Sequence, residues 1–191
     1  MKNINKFYKA LYYLKTTLIY ARRLKKIGAR TIIFEPMQID NPKAIEIGDN
    51  TFVAHQAWLM GNPDATVATL KIGNGVRIGH FSHIIGLKHL EIENDVLLAD
   101  KVYISDCEHC YEDISMPILY QPTRIIKEIT IGEGSWIGEN VCICGANVGK
   151  HSVIGANSVV TKDIPDYSIA VGCPAKVIKQ YDFSSNKWIR I

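Results

Sequence analysis

From residue 47 onward, an aliphatic residue followed by a small one recurs at six-residue intervals along the chain. Representative repeats are IGDNTF at 47, IGNGVR at 72, IGEGSW at 131 and IGANSV at 154. A period of six fits neither an amphipathic helix, with its period of about 3.6, nor a long alternating strand. Hexapeptide repeats are typical of β-helices, in which each repeat buries a face against its neighbours. The pattern therefore predicts an all-β solenoid.

The repeat register predicts where each turn of the solenoid begins, if three hexapeptides make one triangular coil of about 18 residues. The predicted coil openings are Ile47, Ile72, Ile92, Ile131 and Val148. The successive steps are 25, 20, 39 and 17 residues, so the third step carries a long excess after His109. Loops this long in a compact domain are usually functional or disordered. An incomplete opening coil is predicted before them, with inward residues Ile33, Ile39 and Ile45.

Composition places the chain among single globular domains. Its 191 residues are 47% hydrophobic and 21% charged, and the net charge of +3 is too small to indicate a nucleic-acid partner. No apolar run approaches the roughly 20 residues that span a bilayer, and no secretion signal is recognisable. We therefore expect a cytoplasmic protein. Five cysteines, an odd number, favour reduced thiols over disulfides.

The repeats, together with SVVTKDIPDYSIAVGCPAKVIKQ at 158–180, resemble the hexapeptide-repeat acyltransferases. The resemblance is to the maltose, galactoside, nodulation-factor and surface-polysaccharide O-acetyltransferases and covers roughly residues 27–180. It implies a left-handed parallel β-helix and a homotrimer with active sites between subunits. It also implies transfer of acetyl from acetyl-coenzyme A to a hydroxyl of a sugar or surface-polysaccharide precursor, with no metal required.

In the family that this chain resembles, a long loop leaves the helix directly after a histidine that acts as general base. The phrase VYISDCEH at 102–109 places His109 at that point. A neutral imidazole suits the removal of a proton from a sugar hydroxyl, because histidine titrates near neutral pH. Polysaccharide-type relatives often carry a second histidine where this chain has Cys107, and Asp106 or Glu108 are candidates to orient the imidazole. The predicted acceptor contacts are Asp106, His83 and Tyr111.

The resemblance also implies a set of contacts to the acetyl donor. The predicted contacts are Trp136, Ala156, Thr161, Lys162, Lys176 and Lys179. Ala156 and Thr161 would follow the pantetheine arm, and the lysines would meet the phosphates as point charges. The alternative interpretation is an ordinary solvated lysine surface, with the tryptophan packed between coils.

Three other functions remain open from the sequence. An N-acetyltransferase acting on an amino sugar or another amine would share the fold and the donor. A non-catalytic trimeric scaffold would bind no coenzyme A. A zinc-dependent hydratase would use three histidines, for which His80, His83 and His109 are the candidates.

The N-terminal 28 residues have a different pattern and are predicted to form a helix that caps the first coil. Phe7, Leu11, Leu14 and Leu18 recur at three- and four-residue intervals, and RRLKK at 22–26 places cations near the helix end. A basic amphipathic helix can instead lie on an anionic membrane, so peripheral membrane contact is the alternative. The predicted solenoid covers residues 29–173 with an excursion loop at about 110–130, and a tail covers 174–191.

Overall fold

Three parallel sheets wind around one aliphatic core and form the faces of a triangular prism. The computed structural model describes residues 6–191, except for the side chains of residues 6, 7 and 9. The aliphatic residue of each hexapeptide points inward, as at Ile33, Ile78 and Ile104, each at most 1% exposed. The fold is a left-handed parallel β-helix: the repeats predicted the β-helix, and the family resemblance implied its left-handedness.

Each coil runs from face A to face B to face C. Face A comprises Lys26–Ile27, Ile45–Ile47, Leu70–Ile72, Leu90–Ile92 and Ile129–Ile131. Face B comprises Ile32–Ile33, Phe52–Val53, Arg77–Ile78, Leu97–Leu98, Trp136–Ile137, Val153–Ile154 and Ser168–Val171. Face C comprises Gln38–Asp40, Trp58–Gly61, His83–Gly86, Tyr103–Ser105, Cys142–Cys144 and Val159–Val160. The corner that follows face C, here called the CA corner, lies opposite face B.

The predicted coil register is confirmed. Ile47 aligns with Ile72, Ile72 with Ile92, and Ile92 with Ile131, and a bridge joins Ile131 to Val148. The residues in excess of one coil are therefore expelled at corners without shifting the strands. This preserves the inward position of the aliphatic residue that each repeat contributes to the core, because a slip by one residue would turn each side chain to the opposite side of its sheet.

The N-terminal helical segment is shorter than predicted. It consists of an α-helix, Lys6–Lys15, a π-helical turn, Thr16–Tyr20, and a short α-helical turn, Ala21–Arg23. The predicted end at residue 28 is wrong because Lys26–Ile27 already pairs with face A. This strand also makes the opening coil complete instead of incomplete. Residues 1–5, where the predicted helix begins, lie outside the described residues.

The helix packs on the first coil with a different side from the predicted apolar stripe. Thr16 and Tyr20 are buried, and the backbone N–H of Ile33 donates to the Thr16 hydroxyl at 2.9 Å. Leu14 and Leu18 are 54% and 58% exposed. The predicted stripe position at residue 7 lies outside the described side chains.

The segment predicted as a tail is ordered as two antiparallel strands, Lys176–Asp182 and Lys187–Arg190, which extend face B beyond Ser168–Val171. The rings of Tyr181 and Trp188 pack edge to face at 5.5 Å. Two 3-10 helices, Pro42–Ala44 and Ile118–Tyr120, and two strands in the excursion, Cys107–His109 and Thr123–Ile125, complete the secondary structure described here. Within residues 6–191, no helix is both long and apolar enough to cross a membrane.

Candidate active site at the excursion

Asp106 anchors the excursion where it leaves face C. The side chain is 0% exposed. One carboxylate oxygen accepts the N–H of Leu87 at 2.9 Å. The other accepts the N–H groups of Lys88 at 2.8 Å and His89 at 3.1 Å. The returning chain donates the N–H of Ile126 to the Asp106 carbonyl oxygen at 2.8 Å. Both carboxylate oxygens are therefore occupied by backbone donors inside the protein, and contact between Asp106 and an acceptor stays a prediction that this geometry does not favour.

His109 ends the first arm of the excursion. The arms Cys107–His109 and Thr123–Ile125 form an antiparallel ladder, so the excursion begins slightly before its predicted start at residue 110. The imidazole is exposed and makes no hydrogen bond within residues 6–191. Successive side chains of a strand point to opposite sides, so Glu108 points away from His109. The base candidate is therefore accessible and not oriented by either predicted carboxylate.

Arg124 ties the two arms together through carboxylates. Its Nε and Nη2 donate to Oε1 of Glu108 at 2.9 and 2.6 Å, and its Nη1 donates to Glu112. The guanidinium also lies 5.3 Å from the ring centre of Tyr111. The pKa of Glu112 is lowered, chiefly by the N–H of Tyr111 and further by Arg124. Glu108 therefore serves Arg124 and not the imidazole, and Tyr111 remains an exposed candidate for acceptor contact.

The outer surface of face C carries an aromatic row beside the excursion. Trp58, His83 and Tyr103 align on adjacent strands. His83 points outward as predicted, and its ring packs edge to face against Trp58 at 5.4 Å. Burial raises the pKa of Tyr103, so its phenol stays protonated at neutral pH. Contact between His83 and an acceptor stays a prediction.

Three thiols lie on the same side of the molecule. The sulfur atoms of Cys142 and Cys144 are 3.5 Å apart, and the Cys107 sulfur lies 3.3 Å from the Ser105 hydroxyl. Burial raises the pKa of Cys107, and burial together with Cys142 raises the pKa of Cys144 to about 12. The thiolate is the nucleophilic form of cysteine. Cys107 and Cys144 therefore remain protonated near neutral pH and are unsuited to form an acyl-enzyme.

Two of the predicted donor contacts lie at the same corner as the excursion. Thr161 and Lys162 are exposed at the CA corner, directly after the face C strand that lies two coils beyond Tyr103–Ser105. Adjacent strands are about 4.8 Å apart, so these residues lie about 10 Å along the solenoid axis from the base of the excursion.

The other predicted donor contacts do not reach this corner in one protomer. Trp136 is 50% exposed on face B, and Ala156 is exposed at the corner that follows face B. Lys176 and Lys179 lie on the antiparallel strand Lys176–Asp182, which extends face B. Because face B lies opposite the CA corner, a single protomer brings only Thr161 and Lys162 toward the excursion.

The histidines proposed as zinc ligands are not grouped. His80 lies at the corner after face B, with its ring 6.4 Å from that of Phe81, whereas His83 lies on face C. In the described part of the chain, no three His, Cys, Asp or Glu side chains form a group that could hold a metal ion.

The ion pairs of Arg124 were not identified from the sequence. Glu108 and Arg124 are 16 residues apart, and their contact depends on the antiparallel pairing of the arms. The acidic segment CEHCYED at 107–113 indicates that carboxylates are present in the excursion, but it does not show that Arg124 is their partner.

Comparisons with known proteins agree with this architecture. No protein-family model matches the chain. One relative is WbbJ of Escherichia coli, which is named as a putative lipopolysaccharide biosynthesis O-acetyl transferase. It is 31% identical to this chain over 166 residues, and the match covers 82% of each chain. The chain belongs to the hexapeptide-repeat acyltransferase family. A protein of Mycobacterium tuberculosis named as an acetyltransferase is 39% identical over 153 residues, 78% of this chain. The match spans about half of that relative, 47% of its length.

Solved structures of other acyltransferases share the fold of this protein. AntD, an N-acyltransferase from Bacillus cereus in complex with dTDP and 3-hydroxybutyryl-CoA, matches with a TM-score of 0.72. The match covers 89% of this chain and 90% of AntD at 17% identity. The acetyltransferase domain of PglB from Neisseria gonorrhoeae, in complex with acetyl coenzyme A, matches with a TM-score of 0.57 at 22% identity. That match covers 77% of this chain and 57% of the PglB domain chain.

Proposed function

We propose that this protein transfers acetyl from acetyl-coenzyme A to a hydroxyl of a sugar or surface-polysaccharide precursor, with His109 as general base. The observation that carries the proposal is that His109 is exposed and free of hydrogen bonds within residues 6–191, whereas the acidic groups around it are occupied or protonated. Its imidazole is exposed, whereas the carboxylates of Asp106 and Glu108 are committed to other partners. The neighbouring thiol of Cys107 has a raised pKa. His109 is therefore the accessible proton acceptor at the base of the excursion.

The proposed reaction uses the exposed imidazole of His109 as the base. The imidazole takes the proton of the acceptor hydroxyl as its oxygen attacks the thioester carbonyl carbon, and the resulting tetrahedral oxyanion expels the coenzyme A thiolate. The imidazolium then protonates that thiolate. Positioned proton transfer of this kind contributes about 10² to 10⁴ in rate. The raised pKa of Cys144 favours this direct transfer over an acyl-cysteine intermediate.

The distribution of the donor contacts supports a homotrimer. Thr161 and Lys162 lie on the CA corner, whereas Trp136 and Lys179 lie on or beside face B, on the other side of the prism. If face B of one protomer met the CA corner of the next, both groups would border one cleft. The exposed ammonium groups of Lys162 and Lys176 suit the phosphates of coenzyme A.

The tip of the excursion supports the same assembly. Ile114, Leu119 and Tyr120 are 99%, 80% and 72% exposed. Gln121 nevertheless orders the tip, because its amide nitrogen donates to the carbonyl oxygen of Asp113 at 2.8 Å. An ordered apolar tip is suited to pack on a neighbouring protomer.

Two observations favour an O-acetyltransferase. WbbJ, the relative matched over 82% of both chains, is named for O-acetyl transfer in lipopolysaccharide biosynthesis. In addition, Arg124 is held by Glu108 and Glu112, so it offers little free charge to a phosphorylated acceptor. The second candidate is N-acyl transfer to an amino sugar, because a mutant of the N-acyltransferase AntD forms a complex with dTDP-4-amino-4,6-dideoxyglucose and coenzyme A. Its sequence identity of 18% gives that candidate the weaker support.

Release of coenzyme A from acetyl-coenzyme A tests the proposal, with matched panels of neutral saccharides and amino sugars as acceptors. We expect release that depends on a hydroxyl acceptor and falls about 10²-fold or more in His109→Ala. His151→Ala is the control, because it removes another exposed histidine from a different corner. Coenzyme A binding should survive in both variants.

Each alternative gives a different result. Preference for amines would assign N-acyl transfer. Wild-type turnover in His109→Ala would refute the assignment of the base. A wild-type protein that neither binds nor consumes the donor would indicate a non-catalytic scaffold.

A further inference from the structure

The N-terminal helix uses its more polar side to attach to the solenoid. The hydroxyl of Tyr12 donates to Oε1 of Glu35 at 2.7 Å, and Thr16 bonds the backbone of Ile33. Tyr20 is 8% exposed, so it completes the buried side. A helix on a globular protein normally turns its apolar stripe toward the core. In this protein the usual arrangement is inverted.

Among residues 6–191, nothing covers the apolar side of this helix. Leu11, Leu14, Leu18 and Ile19 are 50%, 54%, 58% and 41% exposed, and we call this set the outer helix face. Together with Lys15 and the edge of Tyr12, they line one shallow open groove. A contiguous exposed apolar patch on a soluble domain usually marks a surface that binds a partner or a membrane.

Charge around the outer helix face identifies the chemistry of its partner. The first 34 residues contain nine Lys and Arg and no Asp or Glu, whereas the rest of the chain contains 13 Lys and Arg against 19 Asp and Glu. Lys15 borders the groove, and Arg22, Arg23 and Lys26 are exposed just beyond it. The overall charge of +3 conceals this separation into a basic end and an acidic body.

This charge separation disfavours two occupants of the groove. A second copy of the same helix would bring two strongly basic segments together, and like charges repel. Nucleic acid would satisfy the cations but would leave the leucines exposed to water. An anionic lipid surface satisfies both, because it offers negative headgroups beside an apolar interior.

We propose that the outer helix face binds the surface of an anionic lipid bilayer. The helix lies in the plane of the interface, with Leu11, Leu14 and Leu18 among the upper acyl chains. Lys15, Arg22 and Arg23 contact the headgroups. Binding of this kind requires no membrane span and no change in the solenoid, because the helix already presents this side outward.

Vesicle co-sedimentation of the full chain tests the proposal. Vesicles of phosphatidylcholine alone are compared with an equal mixture of phosphatidylcholine and phosphatidylglycerol, at low and at high salt. We expect binding to the anionic vesicles that weakens as salt is raised. Neutralising two cations in Arg22→Gln/Arg23→Gln should weaken binding about 25-fold at low salt, since each contributes about fivefold near such a surface.

A triple variant, Leu11→Gln/Leu14→Gln/Leu18→Gln, removes the apolar contribution and should weaken binding at least about tenfold. Lys187→Gln/Arg190→Gln is the control for charge, since it removes two exposed cations from the C-terminal strands at the other end of the solenoid. Val67→Gln, at a residue that is 64% exposed, is the control for apolar surface. Both controls should bind like the wild type.

The proposal is overturned if the wild type binds neither kind of vesicle or binds both equally. It is also overturned if the controls lose binding as much as the helix variants do. Light scattering of each variant in the absence of lipid adds a further check. A smaller oligomer in the leucine variant alone would show that a second copy covers the outer helix face. Should the leucine variant fail to fold, Arg22→Gln/Arg23→Gln and its matched control decide the question.

Discussion

Replacing Asp106 with alanine would remove the side chain that holds the excursion against the preceding coil. Its carboxylate is buried and accepts three backbone N–H groups, from Leu87, Lys88 and His89. Alanine leaves all three donors without their partner. The arm that carries His109 begins at the next residue, so its position depends on this anchor.

The magnitude follows from the number of hydrogen bonds. A hydrogen bond contributes about 0.5–1.5 kcal/mol net, and more when one partner is charged. With about 1–1.7 kcal/mol for each bond, where the neutral and charged ranges meet, the three bonds lost in Asp106→Ala amount to about 3–5 kcal/mol of unfolding free energy. With a urea dependence of about 2 kcal/mol per molar, the unfolding midpoint should fall by about 1.5–2.5 M.

Urea unfolding followed by tryptophan fluorescence measures this change, and hydrogen exchange at Leu87 and Lys88 reports the local loss directly. Asp113→Ala is the matched control, because its exposed carboxylate lies in the same excursion and accepts the N–H of Ser115 at 2.9 Å. We expect the control to unfold at the wild-type midpoint. If Asp106→Ala also did so, with unchanged exchange, the excursion would have to be held by other contacts.

Two further predictions concern the arms and the thiols. Arg124→Lys replaces a planar fork with a single point charge, so the acceptor KM should rise several-fold in steady-state kinetics while the donor KM stays unchanged. An equal rise in both constants would contradict a role confined to the acceptor side. Because the pKa of Cys144 is raised to about 12, its thiolate fraction stays small until the pH approaches that value. Mass spectrometry after iodoacetamide treatment at neutral pH should therefore find exposed Cys173 alkylated well before Cys144; equal rates would show that Cys144 is not held as the protonated thiol.

The coil register was predictable because every hexapeptide repeats the same inward and corner positions. Each repeat places one aliphatic residue inward and one small residue beside a corner. The spacing of Ile47, Ile72 and Ile92 therefore predicts that these residues align on adjacent strands of face A. The long step before Ile131 likewise located the excursion. The position of His109 at its start followed from the family resemblance, and its exposure is consistent with the proposed role.

The features that the sequence does not reveal involve residues whose partners are distant in sequence. The position of Asp106 close to His109 is visible in the sequence, whereas its three backbone donors lie 17 to 19 residues earlier and are not. The sequence predicts a helix that caps the solenoid, but its periodicity shows only that an apolar stripe exists and not which side of the helix the first coil accepts. Hydrogen bonds from Thr16 and Tyr12 selected the other side.

The sequence by itself determined the solenoid, its register, its interruption and its family, because these depend on short repeats that each encode the same local packing. Only the tertiary structure decided which charged groups around His109 are free, which side of the N-terminal helix faces outward, and that Trp136 lies across the prism from the excursion. These features depend on how separate coils and arms come together in space. Neighbours in space along this solenoid are typically a full coil apart in sequence, where a repeat pattern carries no information about a particular pair.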